Sequence, residues 1–106
     1  MLRCVRRRGL VNWADKVHVR TRPLHDRTAA EIRDLIREGG VTVEQYARDL
    51  IARFDERDGE IHAWAHFDRE GILLEAKRLD GLPTKERGPL HGVAVGIKDI
   101  FLTKGE

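Results

Sequence analysis

The chain has 106 residues, 41% of them hydrophobic and 36% charged, a length that suits one ordinary domain but a thin apolar supply for its core. Twenty Lys and Arg against eighteen Asp and Glu leave a net charge of +2, which does not call for a nucleic-acid or membrane-surface partner. A marginal fold, or one completed by further sequence, is expected.

The excess positive charge is concentrated at the start. Arg3, Arg6, Arg7, Arg8, Lys16 and Arg20 are opposed there only by Asp15, and no hydrophobic period is sustained before Pro23, so residues 1–27 read as a flexible basic leader. Residues 1–10 are Arg-rich and acid-free, as in a mitochondrial transit segment, but short and without serine. A cytoplasmic location is expected, with a mitochondrial one as the alternative. Cys4, the single cysteine, can form no internal disulfide and offers no zinc spacing. No apolar run approaches the roughly 20 residues that span a bilayer, and none follows the basic start as a secretory signal requires.

Order is predicted from Thr28. Thr28-Ala-Ala-Glu31 is a capping box, after which Ile32, Leu35 and Ile36 recur at helical spacing until Gly39-Gly40 supplies a left-handed stop. A second box, Thr42-Val-Glu-Gln45, starts a helix with an apolar stripe through Val43, Tyr46, Ala47, Leu50, Ile51 and Phe54, and the two-glycine joint predicts a hairpin of the two helices. Asp58-Gly59 reads as a turn, followed by a strand in which Ile61, Ala63, Ala65 and Phe67 alternate with His62, Trp64 and His66. Asp68 can cap a third helix carrying Ile72, Leu73, Ala76 and Leu79. After a polar connection the run Val93-Ala-Val-Gly-Ile97 suits a strand buried on both faces. The expected fold class is therefore α/β: an N-terminal helical hairpin plus a strand-helix-strand piece of a larger mixed sheet, incomplete here.

On such a strand Ala94, Gly96 and Lys98 share one face. Small neighbours leave room beside the lysine at a carboxyl end, where open α/β sheets bind ligands, and partial desolvation would favour its neutral amine as a base. Spacing alone favours a plainer reading, a solvated lysine or one paired with Asp99. The wider stretch Gly88-Pro-Leu-His-Gly-Val-Ala-Val-Gly-Ile-Lys-Asp-Ile-Phe-Leu-Thr-Lys-Gly105 resembles the surroundings of the catalytic lysine in the amidase-signature family, with Ala94 where proline is common. The helices from Thr28 and Thr42, and the segments after Glu60 and Asp68, resemble that family's entry elements in the same order. The resemblance covers residues 28–106, read as the truncated N-terminal part of an amidase-like domain.

The resemblance implies hydrolysis or transfer of carboxamide groups by a serine nucleophile, a second serine on a cis peptide bond, and a lysine that accepts a proton through it. Lys98 takes that base position, Asp99 supports it or the following turn, and Thr103 and Gly105 shape the loop. The chain contains no serine, so a fragment inactive by itself is expected. Its possible partner is a complementing subunit or segment, and a carboxamide substrate is expected only in the complete enzyme. His91 reads as a structural hydrogen-bonding residue.

Neither metal nor cofactor is expected, since His62 and His66 lack a third ligand at a matching spacing, and Trp64 reads as packing. The rival reading is a small basic adaptor that binds nucleic acid or a partner subunit through Arg6, Arg7 and Arg8. A nucleic-acid partner is disfavoured because the body has no helix-turn-helix or RNA-sheet signature.

Overall fold

Short-range chemistry fixes where each helix of this chain starts, as seen in a computed structural model that describes residues 22–104. Helix α1 (Ala29–Arg37) opens on Thr28, whose hydroxyl accepts the Glu31 N–H at 3.2 Å while the Glu31 carboxylate accepts the Thr28 N–H at 2.7 Å. The same reciprocal box opens α2 (Val43–Ile61) between Thr42 and Gln45, at 3.0 and 2.9 Å. In front of α3 (Arg69–Asp80) the Asp68 carboxylate accepts the Gly71 N–H at 3.0 Å. Each cap occupies amides that no carbonyl of the same helix can reach.

Helix ends depend on wider surroundings. After α1, the Gly40 N–H donates to the Leu35 carbonyl at 2.9 Å and the Gly39 N–H to that of Ile36 at 3.2 Å, with Gly39 at φ +75°, the paired bonds of a Schellman stop. The turn expected at Asp58-Gly59 does not form. Helix α2 runs through both residues and stops on His62, a left-handed residue at φ 53° and ψ 45°. A glycine inside a helix costs about 1 kcal/mol against alanine. Asp58 offsets that cost by closing the end, its carbonyl accepting the His62 N–H and its side chain the Ala63 N–H, both at 2.8 Å.

No strand forms among the described residues, which overturns the α/β expectation and its strand-helix-strand piece. They consist of three α-helices and two 3₁₀ turns, at Leu24–Asp26 and Thr84–Glu86. A strand is held by the ladder it shares with neighbours, and the residues expected in the first strand are engaged differently. In a strand Trp64 and Phe67 would face opposite ways. Here they meet edge to face with ring centroids 5.7 Å apart, and Phe67 stacks on Phe54 of α2 at 3.8 Å. Aromatic stacking against a helix has replaced pleated alternation. The second expected strand, residues 93–97, passes the first close to Trp64, but no backbone hydrogen bond joins them.

The core gathers Ile32 and Ile36 of α1, Val43, Tyr46 and Ala47 of α2, and Ala76 of α3, flanked by half-buried Leu24, Val41, Leu50, Ile72, Leu73 and Leu79. Ile32 is wholly enclosed. All the buried residues of α2 fall within its first five positions, so the enclosed core lies at the beginning of a helix roughly 28 Å long at 1.5 Å per residue. The backbones that lie closest are those of α2 and α3, so these two form the hairpin, in place of the expected pair α1 and α2. The start of α2 binds the end of α3 through Asp80, and the end of α2 meets the start of α3 through Phe54 and Arg69, an antiparallel arrangement.

Asp80 makes the link at one end. Its carboxylate accepts the Val43 N–H at 2.8 Å and the Glu44 N–H at 3.0 Å. With Thr42 taking the Gln45 N–H, every free amide in the first turn of α2 has an acceptor, two of them supplied by another helix. At the opposite end Arg69 pairs with Asp55 and lies over the Phe54 ring, 5.0 Å from its centroid. The turn at Leu24–Asp26 is fastened separately: the backbone N–H and ring Nδ1 of His25 both lie 2.7 Å from the Asp49 carboxylate, and Arg22 reaches Glu31 at 2.8 Å. These contacts bring part of the expected leader, residues 22–27, against the helices. Its basic head, with Arg6, Arg7, Arg8 and Cys4, lies outside the described residues.

Two stability changes are expected. Replacing Asp80 by Ala strands two amides of α2, and urea denaturation should show a loss of about 2 kcal/mol, the range for hydrogen bonds to a charged acceptor. Replacing His62 by Gly relieves a left-handed conformation in a side-chain-bearing residue, and the same titration should show a gain of about 0.5–1 kcal/mol.

Candidate functional site

The segment that holds the sequence-predicted site begins where α3 ends. Arg87 folds it back, its guanidinium donating to the Leu82 carbonyl at 2.9 Å and the Asp80 carbonyl at 3.1 Å. A cation is thereby placed at the negative end of the helix dipole. The next turn is closed by the His91 N–H on Gly88 at 3.2 Å and the Val93 N–H on Leu90 at 3.1 Å, with Gly92 at φ +80°. A positive φ at the third position of such a turn favours glycine. Space enforces the same choice: a Cβ on Gly92 would lie 2.7 Å from Val43 Cγ2 and 2.8 Å from Ile36 Cδ1. The backbone at Gly92 is pressed onto the core where α1 meets α2.

Beyond this anchor the chain turns outward. Val93 is half-buried, but Val95 and Ile97 are 78% and 60% exposed, not enclosed on both faces as expected. Gly96 does not leave space beside the lysine; it abuts Trp64, where a Cβ would stand 3.3 Å from the indole. The Lys98 side chain is 70% exposed, with Nζ 3.6 Å from the Asp99 carboxylate. Its carbonyl accepts the Phe101 N–H at 3.1 Å, making a turn at the tip. The described residues thus bring Lys98 and Asp99 together as an exposed pair, and the expected desolvation of the lysine is not found. Desolvation needs walls, and no sheet stands here to supply them.

Of the remaining predicted positions, Thr103 is half-buried and Gly105 lies outside the described residues. His91 is tucked against the end of α3. Burial and the nearby Arg87 hold its imidazole below the ordinary histidine range, opposed by Asp80 and the Leu79 carbonyl. His62, grouped with His66 in the sequence, serves as the left-handed cap of α2. Among the described residues no three His, Cys, Asp or Glu side chains are grouped to hold a metal ion, and no helix is long and apolar enough to cross a membrane. A shallow cleft of about 340 Å³ lies between the end of α2 and the start of α3, lined by Phe54, Asp55, Asp58, Gly59, His62 and Arg69; Lys98 is not part of it.

Sequence reasoning missed Asp80 and Arg87, which place the whole segment. Asp80 carried a usable signal. It is the last residue of α3, where the dipole disfavours a carboxylate, so its presence implies a partner elsewhere. Arg87 carried none, because nothing in its neighbours shows that carbonyls lie within reach.

Comparison with known proteins gives this geometry a family. The chain is 43% identical over 82 residues to the glutamyl-tRNA(Gln) amidotransferase A subunit of Streptomyces avermitilis, a match that covers 74% of this chain. It is 38% identical over 80 residues to the same subunit of Cutibacterium acnes, and 30% identical over 82 residues to that of Lysinibacillus sphaericus. The chain belongs to the amidase-signature family. It spans only 16–17% of the length of these relatives. No family model matches it, and no solved structure does. The Gly88-Pro-Leu-His-Gly92 stretch of this amidase-signature segment has a physical role of its own in the structure, docking the lysine-bearing chain on the helices.

Replacing Gly92 by Ala combines a disfavoured φ with a clash against Val43 and Ile36. The cost should be about 2–4 kcal/mol, read as a drop in thermal midpoint or as failure to fold cooperatively. Replacing Gly88, whose Cβ position is open, should cost clearly less.

Proposed function

We propose that this chain is the lysine-bearing part of an amidase-type hydrolase acting on carboxamide C–N bonds, and that the 106-residue polypeptide alone does not turn such substrates over. The supporting observation is the 43% identity over 82 residues to a glutamyl-tRNA(Gln) amidotransferase component, in a chain that contains no serine. In this reading residues 28–106 are the opening of an amidase-like domain. Lys98 is the proton acceptor, Asp99 supports it or the turn after it, and Thr103 and Gly105 shape the following loop.

The chemistry follows from what each group can do. A carboxamide is opened when a nucleophile attacks its carbonyl carbon, and a hydroxyl does this well only if a base takes its proton as the bond forms. A lysine amine serves when neutral, a form that water-excluding walls favour. Lys98 is exposed in the present structure, so the walls and the hydroxyl both have to come from additional polypeptide. The relatives are named for transamidation on glutamyl-tRNA(Gln); transfer of an amide nitrogen to an activated glutamyl group is the form of the reaction that this similarity favours.

Two measurements test the reading. The purified polypeptide, offered a panel of simple and glutamine-like carboxamides, should release no ammonia above buffer. Supplied with the serine-bearing remainder of a related amidotransferase, it should gain turnover that Lys98→Met lowers by at least about 10³-fold, the scale for losing a catalytic base with its nucleophile in place. Turnover by the chain alone, lost on replacing Lys98, would overturn the inactive-fragment reading. Complemented turnover indifferent to Lys98 would overturn the role of the lysine.

A further inference from the structure

We propose that His91 is a protonation-sensitive latch, holding the lysine-bearing segment on the helical body while its imidazole is neutral and releasing it when the imidazole is charged. The latch stands on packing and does not depend on the role assigned to Lys98.

The geometry is specific. His91 Nε2 is buried and has no hydrogen-bond partner among the described residues. A neutral imidazole can leave one nitrogen without a proton, but an imidazolium carries N–H donors on both. Protonation therefore puts N–H donors on both ring nitrogens where the Leu79 carbonyl is the acceptor at hand, together with a positive charge in a partly desolvated place. The charged groups that face the ring are Arg87, from the connection after the second 3₁₀ turn, and Asp80 and Arg78 of α3, with the Leu79 carbonyl beside them. Arg87 is committed by its bonds to the Leu82 and Asp80 carbonyls, so it cannot swing away without freeing the end of α3. On the side of α1 and α2, the atoms nearest the adjoining Gly92 are the apolar ends of Ile36 and Val43. Among the described residues Asp80 is the acidic group that opposes Arg87 and Arg78, and its carboxylate is already engaged by two amides of α2.

The ring also has leverage. His91, Gly92 and Val93 belong to one hydrogen-bonded turn, and that turn is where the segment presses on the core. Farther along, Gly96 rests on Trp64 and Lys98 sits at the exposed tip. Moving the ring toward water lifts Gly92 from its seat and draws the following residues with it.

The direction with pH follows from linkage. Docking lowers the proton affinity of the ring, so the released state binds more protons, and docking weakens as pH falls from the ordinary histidine value toward the docked one. Four carboxylates are moved away from this window. Glu31 is held below the usual carboxylate range by the Thr28 N–H, and Asp34, Glu56 and Glu75 by hydrogen bonds from Arg33, Arg53 and Arg78.

The test uses the whole chain carrying Trp13→Phe, which leaves Trp64 as its one indole. Between pH 7.5 and 5.5 the Val93 amide, corrected for intrinsic exchange, should lose about tenfold in protection. Trp64 emission should shift to the red over the same interval while helical circular dichroism holds. His91→Gln, which stays neutral, should remove both changes. Should that variant fail to fold, the parent chain still decides the matter: the midpoint of the His91 ring proton shifts must coincide with that of Val93 protection. Overturning results are a pH step that survives in His91→Gln, a His91 titration that leaves Val93 protection unmoved, or helicity lost together with the protection.

Discussion

The carboxylate of Asp80 ties together the main helix pair of this structure. Two amides at the start of α2 donate to it, and it sits at the end of α3, so one side chain fixes both the register and the antiparallel sense of the main helix pair. A helix N-terminus carries partial positive charge and unpaired donors. A carboxylate brought there from a distant part of the chain satisfies both at once. Thr42 and Gln45 complete the turn locally, which leaves Asp80 free to act as a tertiary tie.

Much else depends on that tie. With α3 fixed against α2, the carbonyls at its end are placed where Arg87 reaches them. The connection is thereby directed back toward the joint of α1 and α2, and Gly92 enters between Ile36 and Val43. The glycine in this part of the family-like motif is thus set by steric contact with the first helices, far from it in the chain. A motif associated with chemistry at Lys98 is, over its first residues, a docking device.

Local cues in the sequence were readable because their physics is local. The boxes at Thr28 and Thr42, the Asp68 cap and the Gly39-Gly40 stop all involve partners within a few residues, and all form. The strands were not readable in the same way. Alternation from Ile61 to Phe67 is also compatible with a connection whose aromatic residues fold onto one helix, and Phe54 offers Phe67 a stacking partner where no neighbouring strand offers a ladder. Asp58-Gly59 reads as a turn only if the helix before it has reason to stop. Carried onward by its own hydrogen bonds, α2 absorbs the glycine and ends at His62.

The sequence by itself determined the helix starts, the glycine stop of α1, the apolar stripes, and a lysine motif whose family resemblance the related amidotransferases bear out. Each of these is a matter of neighbours along the chain, where spacing alone says which groups can meet. Only the tertiary structure decided that α2 pairs with α3, that Asp80 and Arg87 steer the segment carrying Lys98, and that the lysine stands in water. Those outcomes turn on which donors and acceptors far apart in the chain come within about 3 Å of each other, and on whether walls close around a side chain. One-dimensional spacing carries neither quantity.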